Sequence, residues 1–311
     1  MEPRKPLDPQ AVGLMLVLCL TWSLQQVVLK ATAADIAPLL QVDLRSGVAA
    51  LLVGGLMLVR REKMRTADGT WRAGLGAGAL FALEYLLLGE GLRHTSAGHA
   101  AVFLYTAPVF AALGLHLMLP SERLAPLQFV GIGLAFAGIA TTFLGRQPMA
   151  STANTLYGDL LCVGAGAAWG ATTVLIRCSR LSTVPATQTL LYQLASAFVL
   201  LLAAAAVMGQ WTFTPTPMVL ASLAFQSVIV SFASFLLWFS LLRTYLASRL
   251  GVFSFMTPLF GIVLGAWLLD EKIEATFLAG ASLVLAGIVL VSGYGWISNA
   301  YRALTGRQKA A

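Results

Sequence analysis

Charge is scarce in this chain. Only 11% of its 311 residues are Asp, Glu, Lys or Arg, where soluble domains carry about 25%, and the mean hydropathy is +0.82. That scarcity excludes a water-soluble fold of this length. Cysteine is rarer still: Cys19, Cys162 and Cys178 sit in or at the end of apolar runs without CxxC spacing. Neither a disulfide framework nor a zinc site is indicated, and packing is their expected role. No GxxxxGKS/T, HExxH or complete GxGxxG occurs, so nucleotide hydrolysis and zinc chemistry have no support. His94, His99 and His116 are spaced by five and seventeen residues, which does not make a metal pair. The sequence therefore assigns no catalytic residue, no metal and no cofactor. The loops also lack clustered Asp, His or Cys, which disfavours a membrane enzyme or a lipid-handling protein.

Long apolar runs are abundant. A bilayer core of about 30 Å takes a helix of roughly 20 apolar residues, and such windows recur at 11–29, 36–59, 73–92, 96–119, 125–144, 157–176, 185–208, 218–242, 247–269 and 275–295. Unbroken runs with interior Gly and Pro suit helices; barrel strands would be about ten residues long and would alternate. The fold class is an all-α integral membrane protein with ten transmembrane helices.

The 20 Lys and Arg outnumber the 13 Asp and Glu by seven, and their placement explains the excess without nucleic acid. With the N-terminus inside, the cytoplasmic segments hold Arg4, Lys5, Arg60, Arg61, Lys63, Arg65, Arg72, Arg123, Arg177, Arg180, Arg243, Arg249, Arg302, Arg307 and Lys309. The outer loops hold only Lys30, Arg93, Arg146 and Lys272. This is the positive-inside pattern for two cytoplasmic termini. The basic 60–72 loop has an added candidate role on anionic lipid.

The chain also repeats itself. VFLYTAPVF at 102–110 returns as VFSFMTPLF at 252–260, and Leu92–Arg93 returns as Leu242–Arg243. Trp22 and Lys30 return as Trp169 and Arg177, and AGI at 137–139 returns at 286–288. Two five-helix copies, 1–146 and 147–311, follow. Because five is odd, the second copy enters the membrane in the opposite sense, giving two inverted repeats. That architecture belongs to secondary transporters that rock about a site at the midplane.

These residues resemble the EamA-like branch of the drug/metabolite transporter superfamily. The likeness lies in Trp22 and Trp169, in the cations Lys30 and Arg177 ending the same helices, and in Pro38 followed by Arg45. It continues through LRHTSAGHAAVFLYTAPVFAALGLHLMLPSERL at 92–124 and LLDEKI at 268–273, and covers essentially the whole chain. The resemblance implies ten helices in a cell inner membrane, both termini cytoplasmic, and secondary transport of a small metabolite, often as export. Ser23, Gln25, Gln26 and Glu84 depart from the family pattern, and these departures bear on the substrate.

Glu84 and Arg45 are the charges inside the membrane that need explaining. Glu84 lies eight residues from the outer end of its span, about 12 Å, and Arg45 nine from its own, about 14 Å. A buried ionisable group faces the bundle interior and finds a partner, so the two are expected to pair. Asp43 points away from Arg45, about 200° round the helix, and is expected near the outer rim with Gln41 and Lys30. Three readings of Glu84 stand side by side: it neutralises Arg45, it carries the proton that drives transport, or it holds a substrate amine while Arg45 holds a carboxylate. The matching positions in the second copy are Ser234 and Tyr192, so the ionic groups belong to one half.

The candidate substrate site comprises Trp22, Gln26, Arg45, Glu84, His99, Phe103, Tyr105, Trp169, Tyr192, Gln193 and Phe253, with Gln226 nearby. Pro108 and Pro258 are expected to kink their helices and free the carbonyls of Leu104 and Ser254, either toward a cavity or into packing. Gly74 with Gly78, and Gly261 with Gly265, fit close helix contacts. The leading function is export of a small polar metabolite such as an amino acid by alternating access, with proton coupling as one option. Efflux of cationic or amphipathic drugs is the alternative. The expected partners are a small-molecule substrate, protons and membrane lipids, with no nucleic acid, in a monomer or homodimer.

Overall fold

The computed structural model describes residues 8–66, 69–120, 123–144, 152–245, 254 and 256–295. The described residues are helical almost throughout. In chain order they form α1 (Pro9–Ala31), α2 (Pro38–Val59), α3 (Thr70–His94), α4 (Ala97–Leu104), α5 (Ala107–Met118), α6 (Pro126–Leu144) and α7 (Thr152–Cys178). A 3-10 turn at Arg180–Thr183 leads to α8 (Ala186–Val207). Then come α9 (Pro217–Ala224), a π-helix (Phe225–Ser234), α10 (Phe235–Thr244), α11 (Met256–Leu269) and α12 (Ala275–Ser292).

Local chemistry sets the starts of these helices. Proline opens α1, α2, α6 and α9, where its missing N–H is not needed and its φ is already helical. Asp8 accepts from the Ala11 amide at 2.8 Å, Ser96 from His99 at 3.1 Å and Thr216 from Val219 at 3.2 Å, each satisfying a first-turn donor.

Seven helices among the described residues are long and apolar enough to cross a membrane: Pro9–Ala31, Pro38–Val59, Thr70–His94, Ala97–Met118, Asn154–Cys178, Ala186–Val207 and Pro217–Trp238. Three shorter apolar helices, Pro126–Thr142, Met256–Leu269 and Ala275–Val291, accompany them. The protein is thus an all-α, multi-pass membrane protein. Large apolar side chains such as Leu51, Leu58, Leu117 and Trp267 lie on its outside, as lipid contact requires.

Glycine controls how closely the helices approach. Tyr192 and Ser196 of α8 fill the space beside Gly74 and Gly78 of α3, and Ala101 lies against Gly261, as the glycine spacings suggest. The closest seam joins α6 to α12. A Cβ on Gly131 would lie 2.8 Å from the carbonyl oxygen of Gly287, and one on Gly138 would lie 2.5 Å from that of Gly280.

Pro108 breaks its span. Between α4 and α5 the amide and Oγ1 of Thr106 both donate to Phe103 O, at 3.2 and 2.6 Å. The carbonyls of Phe103 and Leu104 would each lie 2.9 Å from a Cβ on Gly166. The freed Leu104 carbonyl is therefore packed against α7. Pro258 stands in the first turn of α11, where the Thr257 amide donates to Ser254 O at 3.0 Å. The upstream half of that expected kink lies outside the described residues, as do Phe253 and Phe255.

One expected role fails. Cys19 and Cys162 are buried packing residues, but Cys178 at the end of α7 is exposed.

Candidate functional site

A buried polar cluster joins α1, α2 and α3 to the π-helix. Arg45, 1% exposed, enters from α2, and its Nη1 donates to Gln226 Oε1 at 2.7 Å. Gln226, in the π-helix, passes the interaction on: its Nε2 donates to the carbonyl of Gln25 at 3.2 Å. The guanidinium lies over the Tyr85 ring, 4.4 Å from its centroid. With one nitrogen bonded and one face covered, the Arg45 edge bearing Nε is left, and Nε has no hydrogen-bond partner.

Glu84, one residue before Tyr85, is also buried. It lies within electrostatic reach of Arg45, yet the expected ion pair does not form, and Glu84 Oε2 is buried without a partner. Arg45 Nη1 is taken by Gln226 and one face of its guanidinium by the Tyr85 ring instead. Asp43 does not bond Gln41 or Lys30. It is fully buried beside the backbone of Leu202 on α8. Gln41 instead bonds Thr32 and Ser222, and the Lys30 ammonium donates to the carbonyls of Leu92 (2.6 Å) and Thr95 (2.5 Å).

The remaining candidates divide into two groups. Tyr105 is buried within electrostatic reach of Glu84 and Tyr85 and packs edge-on against Trp169, with centroids 5.3 Å apart. Gln26 is buried on the same helix as Gln25, with Oε1 unpartnered, and Gln193 is buried on α8. Trp22 turns to the π-helix: its Nε1–H donates to Ser234 Oγ at 2.9 Å, and its ring meets Trp238 edge-on at 5.7 Å. The Tyr192 ring fills the space at Gly74, and its hydroxyl is buried without a partner. Ser234 and Tyr192, the expected counterparts of Glu84 and Arg45, thus serve Trp22 and α3.

Trp22→Phe is expected to lower stability by about 1–3 kcal/mol, because it removes the donor to Ser234 and part of the indole that meets Trp238. Thermal unfolding of the purified protein measures this.

His99 belongs to a second cluster. Its Nδ1 lies 3.0 and 3.1 Å from the two carboxylate oxygens of Asp159, and its ring stacks on Phe277 at 3.9 Å. Asp159 is fully buried and also accepts from Thr95 Oγ1 at 2.5 Å. Phe103 stands edge-on to His99 at 6.0 Å and is fully buried. Close by, Glu271 accepts from the amides of Ala97 (2.7 Å) and Gly98 (3.2 Å) at the start of α4, where a carboxylate meets the positive end of the helix dipole. Sequence reasoning missed Asp159, which lies at the edge of an apolar window, and Tyr85, which reads as one more apolar residue. Among the described residues, no group of three or more His, Cys, Asp or Glu could hold a metal ion.

The EamA-like transporter family matches this sequence twice, over residues 10–144 and again over 156–293. The chain belongs to that family. It is similar to the uncharacterized transporter YvbV of Bacillus subtilis, 29% identical over 90% of each chain. It is also similar to a protein of Escherichia coli named as a probable amino-acid metabolite efflux pump, 26% identical over 91% of this chain and 95% of that one. A protein of the same name from Salmonella typhimurium is 26% identical over 89% and 93%. A solved crystal structure shares the fold, with a TM-score of 0.63 at 20% identity over 92% of this chain and 98% of that one. With this membership the chain is a transporter-family protein and not an enzyme.

Proposed function

We propose that this protein exports a small polar metabolite of the amino-acid class across a cell inner membrane by alternating access. The observation that carries the reading is the buried bond between Arg45 of the first half and Gln226 of the second. It puts a set of buried polar groups where the two halves meet. The names of the Escherichia coli and Salmonella relatives support the substrate class and the direction.

In this reading residues 1–146 and 147–311 are inverted five-helix repeats with both termini in the cytoplasm, and the three shorter apolar helices complete ten spans. Three observations support it. The family matches each half separately. The loops before α2 and after α8 meet in an antiparallel bridge between Ile36 and Phe213. In the α6–α12 seam Gly131 meets Gly287 and Gly138 meets Gly280. The AGI repeat pairs position 138 with 287, and the same offset pairs 131 with 280, so exchanging the halves turns one contact into the other.

A proton gradient is the proposed drive, with the buried carboxylates of Asp43 and Glu84 as groups able to take up a proton. Cells fed dipeptides accumulate amino acids, and expression of the protein is expected to speed their appearance outside several-fold until an uncoupler is added. Equal efflux with and without the protein across an amino-acid and metabolite panel would sink the proposal. The unpartnered oxygen of Glu84 beside Tyr85 and Tyr105 also suits an amphipathic cation. Growth in toxic cations with and without expression separates that second reading, which the nearby Arg45 charge opposes.

A further inference from the structure

We infer that Arg45 and Glu84 form a clamp for the zwitterionic head of the transported solute, so the protein selects molecules carrying a free carboxylate beside a free ammonium. The inference rests on the export reading above and adds the chemistry of recognition. Arg45 and Glu84 are both buried, carry opposite charge, lie within electrostatic reach of each other and do not pair. Each keeps one polar atom unpartnered, Nε of Arg45 and Oε2 of Glu84. A buried unpartnered polar atom costs free energy, and groups of opposite sign this close would relieve that cost by pairing if their role were mutual neutralisation.

The surroundings hold them apart. Gln226 fixes Nη1 and the Tyr85 ring covers one face of the guanidinium, while Nε keeps a donor that no protein group uses. A carboxylate accepts there, and an adjacent ammonium donates to Glu84 Oε2. A charge-assisted hydrogen bond of this kind is the strong kind. The second half repeats neither charge: Ser234 is bonded to Trp22 and Tyr192 is packed on Gly74. The clamp therefore exists once and binds the head group in one orientation.

The experiment is thermal unfolding of the purified full chain with each of the twenty proteinogenic amino acids and a panel of other metabolites. The amino acid that stabilises most is then compared with its N-acetyl form, which lacks the ammonium, and its amide, which lacks the carboxylate. Each derivative is expected to bind at least about tenfold more weakly, since one charge-assisted hydrogen bond is lost. In Glu84→Gln, whose unliganded unfolding is measured first, the gap between the amino acid and its N-acetyl form is expected to close while the gap to the amide remains. Equal binding of all three forms to the wild type overturns the clamp and leaves export standing. So does an unchanged N-acetyl gap in Glu84→Gln, or stabilisation by another metabolite alone. No stabilisation by any compound, together with no efflux, overturns the export reading and the clamp with it.

Discussion

Asp159→Ala is expected to destabilise the protein by about 3 kcal/mol, read as a clear fall in the unfolding temperature of the purified chain. Removing one partner of a buried pair costs roughly 3–5 kcal/mol because the other is left uncompensated, while a single polar contact in a membrane is worth about 0.6–1.7 kcal/mol. Here the loss is compound. The carboxylate receives Thr95 Oγ1 and His99 Nδ1, and it fixes the imidazole that stacks on Phe277. Without it the Thr95 hydroxyl and the His99 imidazole both lose their carboxylate acceptor between α4 and α7. Asp159→Asn keeps one acceptor oxygen and should retain a good part of the stability. If Asp159→Ala unfolds within about 1 kcal/mol of the wild type, an ordinary surface effect, the cluster is not the structural clasp described here.

Gly280→Leu is expected to remove most of the folded protein. Overpacking an interior commonly costs about 1–3 kcal/mol, and this position has little freedom to relax. A Cβ there would meet the Thr142 side chain and lie 2.6 Å from the Gly138 carbonyl oxygen, which is backbone and cannot turn aside. The internal control is Gly133→Leu on α6, where a Cβ meets nothing within 4 Å. Its recovery by size-exclusion chromatography should match the wild type. Equal recovery of the two variants would show that the α6–α12 seam is not close-packed as described.

These two sites show how far the residues could be read in advance. The apolar windows anticipated the seven membrane-length helices among the described residues to within a few residues at most ends, because length and hydrophobicity are properties of the chain alone. The glycine spacings anticipated the tight contacts at Gly74, Gly78 and Gly261 for a similar reason: a missing side chain on one face can only help a neighbour approach. Partner choice was less legible. Depth along the helix put Arg45 and Glu84 at one level, but depth says nothing of how each helix is rotated, and Gln226 and Tyr85 took the guanidinium instead. Asp159 was passed over because a carboxylate at the edge of an apolar window reads as rim. The π-helix at Phe225–Ser234 left no trace, since its polar residues Gln226, Ser227, Ser231 and Ser234 recur at spacings that an ordinary α-helix also gives.

That π-helix has a consequence for hydrophobic match. The eighth apolar window folds as successive segments of 8, 10 and 10 residues, which as one α-helix would measure about 42 Å against a hydrocarbon core of about 30 Å. A π turn is wider than an α turn and advances less per residue. The middle segment therefore gives up length for girth, and the span meets the bilayer with less tilt than the same sequence would need as an unbroken α-helix.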